Sequence, residues 1–543
     1  MQVSVKVGEI GRKGVDLVAI PLLELEPKAD PKKRRLGRRI TALDRSVGGL
    51  ISAALGCGDF RGRAGETLTL YPAPESACKR VLLVGLGRES KLTSEGLRRA
   101  AGSTLNLARA KSARRVAMLV PSVRRIPVAE GARAAAEGAV LASYRFDTYR
   151  THTSNNNKNN NSNNSSNNKQ AETPVRSFDL CYEKLRDART VRAACAVGVV
   201  VAESQNVART LSDQPGNALP PAALAREAVK VAKAVGLRSQ VLEVPELKRR
   251  KMGGILAVGQ GSANPPRLVI LEHRPATRAA KTRAAKTRAA KGGRGGAQPT
   301  ICIVGKGITF DSGGISLKPS PGMQDMKHDM SGAAAVVGAM RAIALLKLPL
   351  HVVGVVAAAE NMPGGTAYRP GDIITTMSGK TIEITNTDAE GRVVLADALH
   401  YADLRFEPQA MIDLATLTGA CLVALGPWAT GLLGNHDGLI EAVGEAGTRC
   451  GERSWQLPLL DEHKEAMKSS VADLKNAGGR HAGTSTAASF LSAFVGERPW
   501  VHLDIAGTGW SDKAGPYQQR GATGVGVRTL IELLRNWEPP KGV

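Results

Sequence analysis

The sequence predicts an α/β protein of two domains, each a central mixed sheet flanked by helices. At 543 residues the chain is longer than a single hydrophobic core normally supports. Its hydrophobic fraction of 43% suffices for two cores, and because aromatic residues make up only 3%, Ala, Val, Leu and Gly must fill them. Short apolar runs alternate with Ala-rich helical patterns, as they do where strands are joined by helical crossovers.

Residues 1–188 form the expected N-terminal domain. MQVSVKVGEI alternates like a strand and lacks the apolar core of a signal peptide. VLLVGLG at 81–87 and RVAMLVP at 115–121 read as strands between Ala/Leu/Arg-rich helical stretches. Gly85 and Gly87 imitate the start of a dinucleotide fingerprint, but Ser90 replaces the third glycine, and a strand ending in a tight turn is the plainer reading. Residues 151–170, an Asn/Ser tract, have almost nothing to bury and are expected to be a disordered insertion. Its Asn-x-Ser triplets are products of that composition.

A helical linker is expected over 189–220, ending in LSDQPGNALPPAALA, whose prolines and glycine mark the passage into a domain spanning 221–543. There RLVILEH at 267–273, TICIVGKG at 300–307, HVVGVVAAAE, AMIDLATLTG and WVHLDIAGT read as strands of a largely buried sheet. The basic low-complexity insertion at 275–297, with its repeated TRAAK unit, is read as an expanded hairpin loop between the first two. Ala, Arg and Lys would give that loop some helical content.

The formal net charge of +25 sits largely in two clusters: Lys32, Lys33, Arg34, Arg35, Arg38 and Arg39, and the run from Arg274 to Arg294. Charge runs are usually solvated, so a nucleic-acid partner is left open without being required. Few aromatics disfavour a base-stacking single-strand binder. Seven scattered cysteines without a CxxC pair fit a reducing compartment and argue against a thiolate zinc cluster. No apolar run reaches the roughly 20 residues that cross a bilayer. The expectation is a cytoplasmic protein with no membrane partner.

Two polar segments interrupt the apolar second domain. VGKGITFDSGGISLKP at 304–319 continues into MQDMKHDMSGAAA at 323–335, and NTDAEGRVVLAD occupies 386–397. They supply Lys306, Asp311, Lys318, Asp329, Asp388, Glu390 and Arg392. Charged groups at strand ends are costly to bury unless paired or bound to metal, and strand ends of α/β sheets are where ligands bind. Converging carboxylates offer the hard oxygens that suit Mn²⁺, Mg²⁺ or Zn²⁺. Asp388 and Glu390, two apart, would share one side of extended backbone. A structural salt-bridge network stays open as the alternative. No HExxH occurs; Gly379-Lys380-Thr381 lacks the earlier glycine of a phosphate loop, and Gly483-Thr484-Ser485 lacks the closing glycine of a nucleophile elbow.

NTDAEGR at 386–392 together with GKGITFDSGG at 305–314 resembles the leucyl aminopeptidase family of two-metal cytosolic exopeptidases. The similarity runs through DLATLTGA at 413–420 and WVHLDIAGT, covering nearly all of 190–535. LDRSVGGLISAAL and VLLVGLGR extend it less specifically to the first domain, while both low-complexity tracts depart from the pattern. The resemblance implies that the C-terminal domain is catalytic, that the substrate is a peptide with a free N-terminus, leucine being a favoured first residue, and that the assembly is a homohexamer. It further implies two divalent ions, Mn²⁺ or Zn²⁺, bridged by Asp311 and Glu390, with Lys306 and Asp329 completing one site and Asp388 the other. Lys306 would ligate as a neutral amine, which requires a strongly lowered pKa. In a metal-free protein, an ion pair between Lys306 and Asp311 is the alternative. Lys318 and Arg392 match the catalytic positions, Lys318 stabilising an oxyanion and Arg392 holding a bicarbonate that shuttles the proton. Met326, Thr416, Gly419 and Ala506 match the wall of the pocket for the first side chain, where Met and Thr suit a medium apolar group. Gly509 stands where some relatives carry a larger residue. His328 is read as a packing residue rather than a base.

Overall fold

The computed structural model describes residues 1–8, 10, 14–26, 36–151, 174–275 and 299–540. Nearly all of the Asn-rich insertion read at 151–170 and of the basic one at 275–297 lies outside the described residues, as do Lys32, Lys33, Arg34 and Arg35. The chain forms two compact units, Met1–Ala202 with Ala514–Gln519, and Glu203–Lys513 with Arg520–Val543. The helix Ala188–Asp213 covers most of the segment read as a linker, and the division falls inside it.

The first unit holds strands β1 (Gln2–Val7), β2 (Leu17–Leu23), β3 (Thr67–Leu70), β4 (Val81–Gly87), β5 (Arg115–Leu119) and β6 (Ser177–Tyr182), in the order β1-β6-β5-β2-β4-β3. All neighbours are parallel except β3 with β4, so the sheet is mixed. β4 is buried along its whole length, as expected for a strand covered on both faces. Gly87 closes it at φ +76, which bears out the tight turn and not a dinucleotide loop. The helices Ser94–Ala110 and Val128–Ala142 pack against each other around a buried ion pair, Arg98 with Glu137 at 2.8 Å. Ala514–Gln519 joins this unit through Asn106 Nδ2, which donates to Pro516 O (2.8 Å), and Tyr517 OH, which donates to Glu95 Oε1 (2.9 Å).

The second unit contains β7 (Arg238–Leu242), β8 (Arg267–His273), β9 (Thr300–Asp311), β10 (His351–Asn361), β11 (Ile373–Thr375), β12 (Thr381–Glu383), β13 (Ala410–Ala415), β14 (Thr430–Gly434), β15 (Ser454–Gln456), β16 (Leu474–Lys475) and β17 (Trp500–Asp504). Eight of these make a mixed sheet in the order β15-β14-β17-β13-β9-β10-β8-β7, and β11, β12 and β16 form a small second one. The four central strands β17, β13, β9 and β10 are mutually parallel, so their carboxyl ends open on one side. One expectation is overturned: β8 and β9 are not a hairpin, because β10 lies between them, antiparallel to β8 and parallel to β9. The Val/Ala run of β10 is buried on both faces and belongs in the sheet interior, which adjacency in sequence does not reveal.

The helix Ser331–Leu345, almost entirely buried, lies on this sheet. Its approach requires a glycine, since a Cβ at Gly332 would stand 2.1 Å from Leu414 O. All seven cysteines are free thiols, and only Cys57 is exposed. Among the described residues no helix is long and apolar enough to cross a membrane.

Candidate metal centre and active site

The site lies at the carboxyl ends of the parallel strands. β9 carries Lys306 in its interior and Asp311 at its end. The short turn of helix Met323–His328 delivers Asp329 just ahead of the helix Ser331–Leu345. A second helix, Glu390–Phe406, starts at the site, so Glu390 and Arg392 occupy its first turn. Gly391 between them makes room for the lysine: a Cβ there would lie 2.5 Å from Lys306 Cε. The backbone from Asp388 to Glu390 is therefore a turn running into a helix, and not the extended segment expected from their spacing. The two carboxylates accordingly face different lysines.

Lys306 Nζ stands 2.8 Å from Asp329 Oδ2 and 2.7 Å from Glu390 Oε1, and donates to Thr416 O at 2.9 Å. Lys318 Nζ lies 2.8 Å from Asp311 Oδ2 and also pairs with Asp388 Oδ1. The alternative reading, an ion pair between Lys306 and Asp311, is not the arrangement found: Lys306 pairs with Asp329 and Glu390, and Asp311 pairs with Lys318. Burial disfavours the Lys306 ammonium, but Asp329, Glu390 and Asp311 outweigh it and hold its pKa above the ordinary lysine value. Lys318 is raised in the same way, by Asp311, Glu390 and Asp388 against burial. Burial and the Glu390 charge push the Asp311 carboxyl up to about 6. Burial likewise raises Asp329 and Asp388, whereas for Glu390 the two lysines outweigh burial and lower it.

These residues fit a cation. Asp311, Asp329 and Glu390 each offer an oxygen, all within 4.8 Å of one another. Glu390 Oε2 is buried with no hydrogen-bond partner among the described residues. A set of hard carboxylate oxygens with unspent lone pairs at a strand end is suited to a divalent ion.

Arg392 is buried. Its Nη1 donates to Asn476 O at 2.8 Å, while Nε has no acceptor among the described residues. Burial draws its pKa down to about 10, which leaves it cationic at neutral pH. Thr416 belongs to the centre itself, its Oγ1 donating to Asp329 Oδ1 at 2.7 Å. Met326 sits half-buried in the turn before Asp329, Gly419 begins the helix Gly419–Leu425, and Ala506 N donates to Asp504 Oδ1 at 3.1 Å. A Cβ on Gly419 would meet nothing within 4 Å, and one on Gly509 would lie 3.3 Å from Thr416 Cγ2. His328 is buried against Trp510, ring centroids 3.8 Å apart, and burial pushes its pKa down to about 3.

Three groups at the site escaped the sequence reading. Asn476 holds Arg392, as above. Asp504 fastens the turn after β13, accepting from Thr418 Oγ1 (2.6 Å) and Leu417 N (3.2 Å). Asn361, at the end of β10, donates to Asp311. A polar residue closing an apolar strand was the available signal, but the run read as HVVGVVAAAE stops one residue short of Asn361.

A mixed α/β sheet with a cluster of carboxylates and lysines at its parallel carboxyl ends defines a two-domain α/β protein with a candidate divalent-cation site. The cytosol aminopeptidase family catalytic domain matches residues 206–531, and the same family's N-terminal domain matches residues 25–153. The chain belongs to the cytosol aminopeptidase family, whose members are metal-dependent aminopeptidases. It is 45% identical over 499 residues to a probable cytosol aminopeptidase of Geobacter sp. (strain M21), covering 92% of this chain and 94% of that one. It is 47% identical over 481 residues to that of Roseiflexus castenholzii, covering 88% and 92%. Among solved structures, a tomato leucine aminopeptidase mutant superposes with TM-score 0.83 at 33% identity, covering 98% of this chain and 97% of that one. The bottromycin maturation enzyme BotP in complex with Mn superposes with TM-score 0.78 at 36% identity, covering 96% and 99%.

Proposed function

We propose that this aminopeptidase works with two divalent ions, Mn²⁺ or Zn²⁺, and prefers leucine and other medium apolar residues at the free N-terminus of peptides, serving intracellular peptide turnover. The observation that carries the reading is the convergence of Lys306, Asp311, Asp329 and Glu390 on one buried centre, with Lys318 and the partly exposed Asp388 beside it. Asp311 and Glu390 would be shared between the ions, Lys306 and Asp329 would complete one site, and Asp388 the other. When bound, the ions supply Lewis acidity toward the scissile carbonyl and a water of lowered pKa.

The chain's own groups do the rest. Lys318 aims an ammonium donor at the carbonyl oxygen as negative charge develops there. Arg392 is suited to hold a bicarbonate as proton acceptor, a role supported by its buried guanidinium with an unspent Nε. Met326, Thr416, Gly419 and Ala506 would bound the space for the first side chain, and the open surroundings of Gly419 leave volume there. The Mn in the BotP structure supports manganese as one competent metal. The names of the relatives support a cytoplasmic location, and the homohexamer is proposed from the family resemblance alone.

The test is hydrolysis of leucine p-nitroanilide with Mn²⁺, with chelator, and after N-acetylation. The expected result is turnover that needs metal and vanishes for the acetylated substrate. Comparable turnover of blocked and free substrates would remove the exopeptidase reading.

A further inference from the structure

Asn361 plays no part in the scheme above, yet it ties the two ligand-bearing segments together. It is fully buried, at 0% exposure. Its Nδ2 donates to Asp311 Oδ1 (2.8 Å) and to Thr387 O (3.0 Å), the residue before Asp388. A carboxylate and a backbone carbonyl can only accept, so the orientation of the amide is fixed. The backbone is shaped to bring this about. Ala359 stands opposite Ile308, but Asn361 stands opposite Asp311, so β9 takes one extra residue over this step as a bulge. Gly314, at φ +67, clears the other side of the amide, where a Cβ would lie 2.7 Å from Asn361 Oδ1. That oxygen is buried with no hydrogen-bond partner among the described residues, a situation native proteins rarely tolerate away from functional sites.

We infer that Asn361 is a positioning residue of the metal centre. Together with Gly313 N, which donates to the same oxygen at 2.9 Å, it pins Asp311 Oδ1 and turns Oδ2, the oxygen that Lys318 Nζ meets at 2.8 Å, toward the positive charges of the centre as the one offered to a cation. Through Thr387 it also sets how far Asp311 stands from the segment carrying Asp388 and Glu390. Groups that orient ligands in this way commonly govern metal affinity. The inference rests on the two-ion reading and adds a residue that reading does not use.

Titration of Mn²⁺ into chelator-stripped full-length protein by calorimetry tests it, with Asn361→Ala beside Tyr368→Phe as a control. Tyr368 OH donates to Thr387 O at 2.9 Å, as Asn361 does, but donates no hydrogen bond to Asp311. For Asn361→Ala, Mn²⁺ affinity is expected to fall roughly 10- to 100-fold, with kcat largely restored at saturating metal and KM for peptide little changed. Tyr368→Phe is expected to lower Tm and leave Mn²⁺ affinity at the wild-type value. If the alanine variant does not fold, Asn361→Ser, whose hydroxyl is too short to reach Asp311, takes its place. Unchanged Mn²⁺ affinity in the Asn361 variant overturns the inference, as does a loss of affinity in both variants that follows Tm. Wild-type protein that binds no Mn²⁺ would instead overturn the two-ion reading beneath it.

Discussion

Lys318 and the carboxylates of the centre should separate cleanly on substitution. Asp311→Ala or Glu390→Ala removes an oxygen donor from a cluster whose members lie within 4.8 Å, so metal content measured by elemental analysis should drop along with activity. Lys318→Ala removes a donor aimed at charge that forms only in the transition state, a loss worth on the order of 10²–10³ in turnover, while metal stays bound. Normal turnover by Lys318→Ala would require a different mechanism. These charged residues were legible in the sequence because ionisable groups inside apolar runs need a reason. Asn361 and Asn476 were not, because a neutral amide looks the same whether it positions a ligand or merely closes a turn. Asp397 was equally silent. It is wholly buried, accepts from Met377 N (2.7 Å) and Ile255 N (3.0 Å), and burial pushes its pKa up to about 7. The folded chain therefore keeps this proton to higher pH than the unfolded chain, whose carboxyl titrates near about 4. Stability is expected to fall as pH rises between those values, and Asp397→Asn should flatten that slope in urea titrations while lowering stability overall.

At the scale of elements, two glycines with similar clearances should behave in opposite ways. Gly332→Ala drives a Cβ to 2.1 Å from a backbone carbonyl that cannot yield, and is expected to cost on the order of 3 kcal/mol, read from the chemical denaturation midpoint. Gly391→Ala presses only on the flexible end of Lys306 and gains helix propensity. Its Tm should hold while metal uptake falls. Elements set by local pattern were readable: RLVILEH is β8 to the residue, and β10 was missed by one. What was not readable was pairing. β10 inserts between β8 and β9 although it follows both in sequence, and the turn at Asp388 becomes a helix because Glu390 begins a buried run that no spacing of two residues discloses.

At the scale of the molecule, two compositional anomalies can be removed on paper. Deleting 278–291 leaves nine residues between Pro275 and Pro299. β8 and β9 stand two strand spacings apart, about 10 Å, which such a remnant spans easily. Expression, Tm and peptidase activity should survive this deletion, and also that of 153–169. Loss of soluble protein on either would mean that the tract contributes to the fold. Light scattering should give about six times the 57.1 kDa chain mass if the proposed hexamer forms. The division into units inside the helix Ala188–Asp213 was not legible because a helix runs unbroken across it, and Gly515 and Pro516 mark Ala514–Gln519 only as a turn, which does not disclose its return to the first unit.

The thiols have a practical use. Cys57 is the only exposed cysteine; the other six are buried, and burial pushes the Cys78 and Cys195 thiols up to about 11 and that of Cys421 up to about 12. Because the reactive species is the thiolate, a maleimide fluorophore at neutral pH should attach once per chain, at Cys57, and leave the peptidase machinery untouched. The natural sequence therefore carries a built-in address for a reporter, so binding and assembly can be followed by single-molecule fluorescence without engineering a label site.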